Sequence, residues 1–367
     1  MRSQLSRYIV TGVLMVLACC GHSFATACSS AQFMWGDTSV MIRSYDWRIG
    51  NALIIINKRD MAKRALSFDN PAEWTSKYGS VTINQYGREL PNDGMNEAGL
   101  AVTCLWLDES EYPASDERPS VSTAQWIQYQ LDTASTVKEV LESDKHIRIT
   151  PVGGAKVHYF VSDAEGNSAV IEFVKGKMVA HSGESLPNRL ITNNLCSVSA
   201  EDLTQVRGFG GDRALSNDSA SLSRYARLAT LLKNLKPTSQ PFTRVGFDML
   251  DRVKQHGTQW QIVYDLSDKQ IHFRTREHQQ VRTVDLADCN FSPSTPTQVL
   301  DIDAKLKGNV IAEFKEYTRE ANRALIEFSV AKTPLLENIP RYLVNVAIAY
   351  PEFNCKPAEV PVAAGGE

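Results

Sequence analysis

Strand-like segments arrive in two runs, each followed by a pair of helices, and that order narrows the fold more than any other feature of the 367 residues. In the first run, CSSAQFMW and SVMIRSYDW flank Gly36-Asp37-Thr38, turn residues between apolar stretches, so a hairpin is expected there. ALIIIN (52–57), SVTINQY (80–86) and GLAVTCLWL (99–107) continue the run with β-branched and apolar residues. Ser122 with Gln125, and Thr136 with Glu139, have capping-box spacing and predict two helices.

The second run starts with KVHYFVSD (156–163) and SAVIEFV (168–174), a hairpin across Ala164-Glu165-Gly166-Asn167, and continues through KMVAH and RLITNN. Leu222, Tyr225, Leu228, Leu232 and Leu235 then recur at helical spacing until Pro237. A further helix is expected over 243–256, with Gly257 as its cap. WQIVYDL and QIHFRT form a last hairpin across Ser267-Asp268-Lys269. Such an order suits an α+β sandwich with sheets inside and helices outside. From about residue 297 a charged helical segment and a Pro-containing tail follow. Residues 28–367 therefore read as one domain with a C-terminal extension.

Residues 1–27 stand apart. Arg2 and Arg7 precede the apolar run 8–17, and Ala25-Thr26-Ala27 follows it, the order of a secretory signal peptide. Leu17-Ala18-Cys19 loosely resembles a lipidation site, with its leucine one place off; cleavage after Ala27 is the expected event. It would take net charge from −3 to −5, since that segment holds two arginines and no acid. Neither value, with basic residues scattered, suggests nucleic-acid binding. No later stretch is long and apolar enough to span a membrane. Export, with a periplasm as the expected compartment, leaves Cys104, Cys196, Cys289 and Cys355 able to pair, Cys289 with Cys355 among the options. No Cys/His spacing suggests a metal.

Cleavage would make Cys28 the first residue and give it a free α-amine. Such an amine titrates near pH 8, so a useful fraction is neutral and can take the thiol's proton. Cys28-x14-Arg43-x2-Asp46, the run GMNEAGL (94–100), Thr192-Asn193-Asn194, and Ser221-x-Ser223-Arg224-Tyr225 follow in order. That constellation resembles the choloylglycine hydrolase family, which holds bile salt hydrolases and penicillin V acylases, over roughly residues 28–286. The resemblance implies a four-layer αββα sandwich of two antiparallel sheets, the N-terminal-nucleophile (Ntn) hydrolase fold. It implies Cys28 as nucleophile, with Arg43 beside the thiol and lowering its pKa, and Asp46 accepting from the α-amine. Asn193 would donate to the oxyanion, and Arg224 would complete the charged surround.

Trp106 stands where many bile salt hydrolases carry an asparagine, and Trp47 follows Asp46 directly. Both fit the Gram-negative exported branch, where tryptophans line an acyl pocket. The expected substrate is thus a small-molecule acyl amide such as penicillin V or an N-acyl-homoserine lactone. A conjugated bile salt, or a catalytically inactive acyl-amide-binding protein, remains the alternative. With an asparagine missing, a backbone N–H near Trp106 is expected as the second oxyanion donor. The resemblance implies a homotetramer and no cofactor. Ser135-Thr136-Val137-Lys138 matches S-x-x-K without a K-T-G or S-D-N partner, so it reads as helix capping.

Overall fold

Alternate residues of the strand Thr38–Asp46 enter two different cores. Met41 and Tyr45 pack into one, while Val40 and Ile42 pack into another. A strand buried on both faces reads as a near-continuous apolar run, as SVMI does here. The computed structural model describes residues 28–151 and 154–358; the signal segment 1–27, its cleavage point and Cys19 lie outside the described residues.

Two large sheets form the centre. The seven-stranded one runs Leu190–Ile191, Ser29–Trp35 (β1), Thr38–Asp46 (β2), Thr258–Asp265, Gln270–Thr275, Arg282–Asp285 and Gly308–Asn309. The nine-stranded one places Leu53–Asn57 (β3) between Ser80–Asn84 and Gln298–Asp301. Pairing is antiparallel except at the edge strand Gly308–Asn309, which is parallel to Arg282–Asp285. The helices are α1 (Trp126–Thr133), α2 (Val137–Glu142), α3 (Cys196–Leu203), α4 (Ser221–Lys233), α5 (Phe242–Asp251), α6 (Arg319–Lys332) and α7 (Arg341–Asn354).

The layers follow from three cores. Met41, Tyr45, Trp260 and Ile262 of the smaller sheet meet Ile54, Val81, Met95 and Leu105 of the larger one. Behind the larger sheet lie Trp126, Leu131, Val137 and Val140 of α1 and α2. Behind the smaller lie Tyr225, Leu228, Phe247 and Leu250 of α4 and α5. This is the expected αββα order. Gly246 lets α5 sit close, because a Cβ there would meet Val263 and Ile42 side chains at 2.9 and 3.0 Å.

Local expectations failed at two helix ends. Thr136 caps α2, its side chain accepting from Glu139 N; Ser122 Oγ does accept from Gln125 N at 3.3 Å, but α1 begins only after Gln125, which has no side-chain cap of its own. Ser122 instead ends a short strand paired in parallel with Arg148–Thr150. Helix α5 stops at Asp251, because the chain beyond is drawn into the sheet: Gly257 O accepts from Trp47 N at 3.0 Å, and Thr258 pairs with Asp46. The five described cysteines are all free. Cys355 lies in a strand paired with Met61–Arg64, and Cys289 follows the turn Leu286–Asp288 after the smaller sheet, so these two do not bridge. Nor is the segment after 297 a mere appendage. Gln298–Asp301 pairs with β3 in the larger sheet, and Ile326, Val344 and Ile348 join α6 to α7.

Candidate active site

The β1–β2 hairpin carries the site. Its register pairs Ser29 with Ser44 and Ser30 with Arg43, so the chain returns Arg43 and Asp46 to the neighbourhood of Cys28. Cys28 is buried, and its Sγ lies 3.8 Å from Asp46 O. Arg43 points inward with its guanidinium beside the thiol. Its Nε donates to Asp93 Oδ1 at 2.9 Å, its Nη1 to Ser44 O at 2.8 Å and its Nη2 to Cys104 O at 2.7 Å. The fork is thereby fixed, with Asp93 as its buried ion-pair partner.

Asp46 occupies the opposite side of β2, with Oδ1 accepting from Ser44 Oγ at 3.0 Å and from Thr258 Oγ1. Its Oδ2 is buried without a hydrogen-bond partner. Burial pushes the carboxyl up to about 6, against the pull of Thr258 and Arg224. Burial also raises the Cys28 thiol above its ordinary value; the Arg43 charge works downward but does not prevail. Arg43 thus contributes the expected lowering, while burial raises the sum, because a fully desolvated sulfur disfavours its anion.

Asn193 follows the edge strand Leu190–Ile191, which pairs with β1, and Arg224 comes from α4. Arg224, on the first turn of α4, donates to Cys28 O at 2.5 Å, Ser29 Oγ at 2.6 Å and Asn193 Oδ1 at 2.9 Å. Ser221 Oγ accepts from Asn193 N at 2.8 Å, which fastens the loop to the same helix. Asn193 Nδ2 donates to Trp106 O at 2.8 Å; an amide nitrogen has two protons, so one remains for a ligand. Next to it, Thr192 O lies 2.8 Å from His158 Nε2, and His158 abuts Glu172, whose carboxylate is held down to about 2 against burial by His158 and His181. Arg43, Asp46, Asn193 and Arg224, the four residues expected beside the nucleophile, thus meet around Cys28.

The two tryptophans also meet, ring centroids 6.1 Å apart and tilted by 34°. They border a cavity of about 270 Å³ that opens onto Cys28, and none of its described lining residues carries a charge. Trp47 Nε1 donates to Tyr86 Oη at 2.9 Å, and Trp106 Nε1 to Asp108 Oδ1 at 2.6 Å. Leu107 N donates to Lys156 O at 3.0 Å; Asn92, with its side chain near Tyr45 Oη at 3.4 Å, lines the same cavity. Sequence reading missed Asn92, Asp93 and Tyr86, and, although it expected a helical segment after 297, it gave no sign that α6 and α7 supply Ile326, Val330 and Val344 to the lining. Among the described residues no cluster of His, Cys, Asp or Glu is arranged to hold a metal, and no helix is long and apolar enough to cross a membrane.

Two antiparallel sheets packed between helical layers, with Cys28 just ahead of the first central strand, define an Ntn-hydrolase fold. Residues 28–195 match the family model described as linear amide C–N hydrolases, choloylglycine hydrolase family. A curated relative, penicillin V acylase of Pectobacterium atrosepticum, is 28% identical over 336 residues, 77% of this chain and 87% of its own. The structure of penicillin V acylase from Agrobacterium tumefaciens superposes with a TM-score of 0.71 at 27% identity, covering 79% of this chain and 98% of that one. A mutant conjugated bile acid hydrolase from Clostridium perfringens shares the fold, with a TM-score of 0.63 at 19% identity, 77% of this chain and 98% of that one. Residues 28–195 thus match the choloylglycine hydrolase family model, the chain resembles penicillin V acylases along most of its length, and it is a hydrolase acting on carbon–nitrogen bonds of linear amides.

Proposed function

We propose that this chain is exported, loses residues 1–27, and uses Cys28 to hydrolyse acyl amides with an apolar acyl group, penicillin V and N-acyl-homoserine lactones among them. The observation that carries this reading is the buried Asp46 Oδ2 without a partner beside Cys28. An α-amine on Cys28 would supply the missing donor and be held toward the sulfur.

The chemistry then balances within the site. The neutral amine takes the thiol proton, and sulfur bonds to the amide carbon. The second Nδ2 proton of Asn193 meets the oxyanion, with Asn92 as the candidate partner donor. The ammonium returns its proton to the leaving nitrogen as the C–N bond breaks. Water, deprotonated by the same amine, cleaves the thioester. The uncharged lining favours an apolar acyl chain or aryl group over a charged one, because nothing there would pair a buried charge.

The test is the intact mass and N-terminal sequence of the exported protein, before and after a thiol-directed acylating probe. The reading expects a chain that begins at Cys28 and gains one acyl group there. A chain that begins elsewhere, or an unlabelled Cys28, would leave a binding protein in its place.

A further inference from the structure

The far wall of the cavity is not built by the sandwich. It comes from α6, the turn Pro334–Leu336 and α7, through Ile326, Val330, Leu336, Ile339 and Val344. Trp47, Trp106 and Tyr86 of the sandwich line the same cavity, so it is bounded by aromatic side chains there and by aliphatic ones on the helical wall.

This wall is pinned at several places. Thr333 Oγ1 lies 3.0 Å from Tyr86 Oη, the same hydroxyl that accepts from Trp47. Ser329 Oγ donates to Gln85 O at 2.7 Å, and Arg88 N donates to Asn322 Oδ1 at 2.8 Å. At the other end, Tyr350 Oη donates to Arg64 O at 2.7 Å and accepts from Gln125 Nε2 at 2.6 Å. Past α7, Cys355–Pro357 adds a strand beside Met61–Arg64. Several of these contacts involve buried groups, which resist being opened to water. A helical pair held this way is a fixed wall rather than a swinging cover.

We propose that the α6–α7 pair sets the length of acyl chain the cavity accepts, with Val330 and Ile339 as specificity-determining residues. This rests on the acyl-amide reading above. Each further methylene that enters gains about fourfold in affinity until the wall is met, and nothing beyond it. Both residues are half-buried, so substitutions there reshape the wall without opening the sandwich core.

The experiment uses the full exported protein and two substitutions of opposite effect, Val330→Trp and Ile339→Ala. Binding of straight-chain carboxylic acids of increasing length is followed by the fluorescence of Trp47 and Trp106, and kcat/KM is measured for amides of the same acyl lengths. Val330→Trp should bring the end of the affinity rise forward by about two methylenes or more, with at least a tenfold loss for longer chains. Ile339→Ala should move that end the other way. An unshifted end point in either variant that folds, or a uniform loss across all lengths, would overturn the proposal. If wild-type protein cleaves no amide of any length while the binding end points still move, the wall stands and the hydrolase reading fails. If amides are cleaved and no end point moves, the reverse holds. Near-UV circular dichroism reports folding of each variant, and either one alone is sufficient to decide.

Discussion

Arg43 Nε meets Asp93 Oδ1 at 2.9 Å, and both side chains are completely excluded from solvent. The pair joins the smaller sheet to the larger one, and Asp93 also accepts from Thr103 Oγ1 and, at 3.3 Å, from Trp260 Nε1. Removing one partner of a buried pair strands a charge, which costs about 3–5 kcal/mol. Asp93→Ala should therefore lower unfolding stability by about that much in urea titrations. The double variant Arg43→Met with Asp93→Leu should recover most of the loss and none of the activity. If Asp93→Ala alone is as stable as wild type, the pair does not organise the site.

Asp46 gives a prediction in pH. Its carboxyl is raised from 3.8 to about 6 by burial, so the folded chain holds the proton more tightly than the unfolded one. Stability then falls as pH rises from about 4 through 6, the opposite of a salt-bridged carboxylate. The shift is worth about 3 kcal/mol at roughly 1.36 kcal/mol per unit. A chain that begins at Cys28 has an ammonium to pair with the carboxylate below pH ~8. Its stability should decline much less over the same window than that of a chain kept uncleaved by substituting Ala27. Equal pH slopes in urea unfolding of the two forms would remove the proposed amine–Asp46 contact.

Asn193 should separate binding from chemistry. Its remaining Nδ2 proton is the proposed oxyanion donor, and one such donor is worth about 3 kcal/mol in the transition state. Asn193→Ala should lower kcat by on the order of 10²–10³ with KM changed far less. A fall of less than about fivefold would assign the residue to holding Arg224 and Trp106 instead.

Much of this arrangement was readable from local sequence, and the exceptions share a cause. Strand alternation and the turn at Gly36-Asp37 foretold that Arg43 and Asp46 return to Cys28, because hairpin pairing is a short-range matter. Asp93 gave no such sign. It sits 50 residues from Arg43, and only sheet-on-sheet packing brings them together. The α6–α7 pair did leave a trace: Asn322, Leu325, Ile326 and Ser329 are buried at helical spacing. Charged neighbours made that stripe look like a solvated tail, and its role depends on what it covers. At Ser122 the expected bond to Gln125 N forms but the helix starts later, and at Gly257 the cap signal was overruled by strand pairing, which consumes backbone groups a cap would otherwise satisfy.

The Cys28 thiol itself provides the last prediction. With residues 1–27 attached, the sulfur is buried and its pKa is raised, with Arg43 alone among the neighbouring side chains working strongly the other way. The thiolate is the species that alkylates, so iodoacetamide should label the uncleaved chain slowly at pH 7 and faster as pH rises toward the thiol's elevated pKa. In the chain that begins at Cys28, the amine accepts the proton, and labelling at pH 7 should be at least about tenfold faster. Arg43→Met removes the nearest positive charge and should slow labelling in both forms, since a desolvated anion without a counter-charge is disfavoured. Mass spectrometry of the labelled peptide distinguishes Cys28 from Cys104, whose buried thiol is pushed up to about 12 and should stay unmodified at neutral pH. Identical rates for the two forms would mean that the free amine does not activate Cys28.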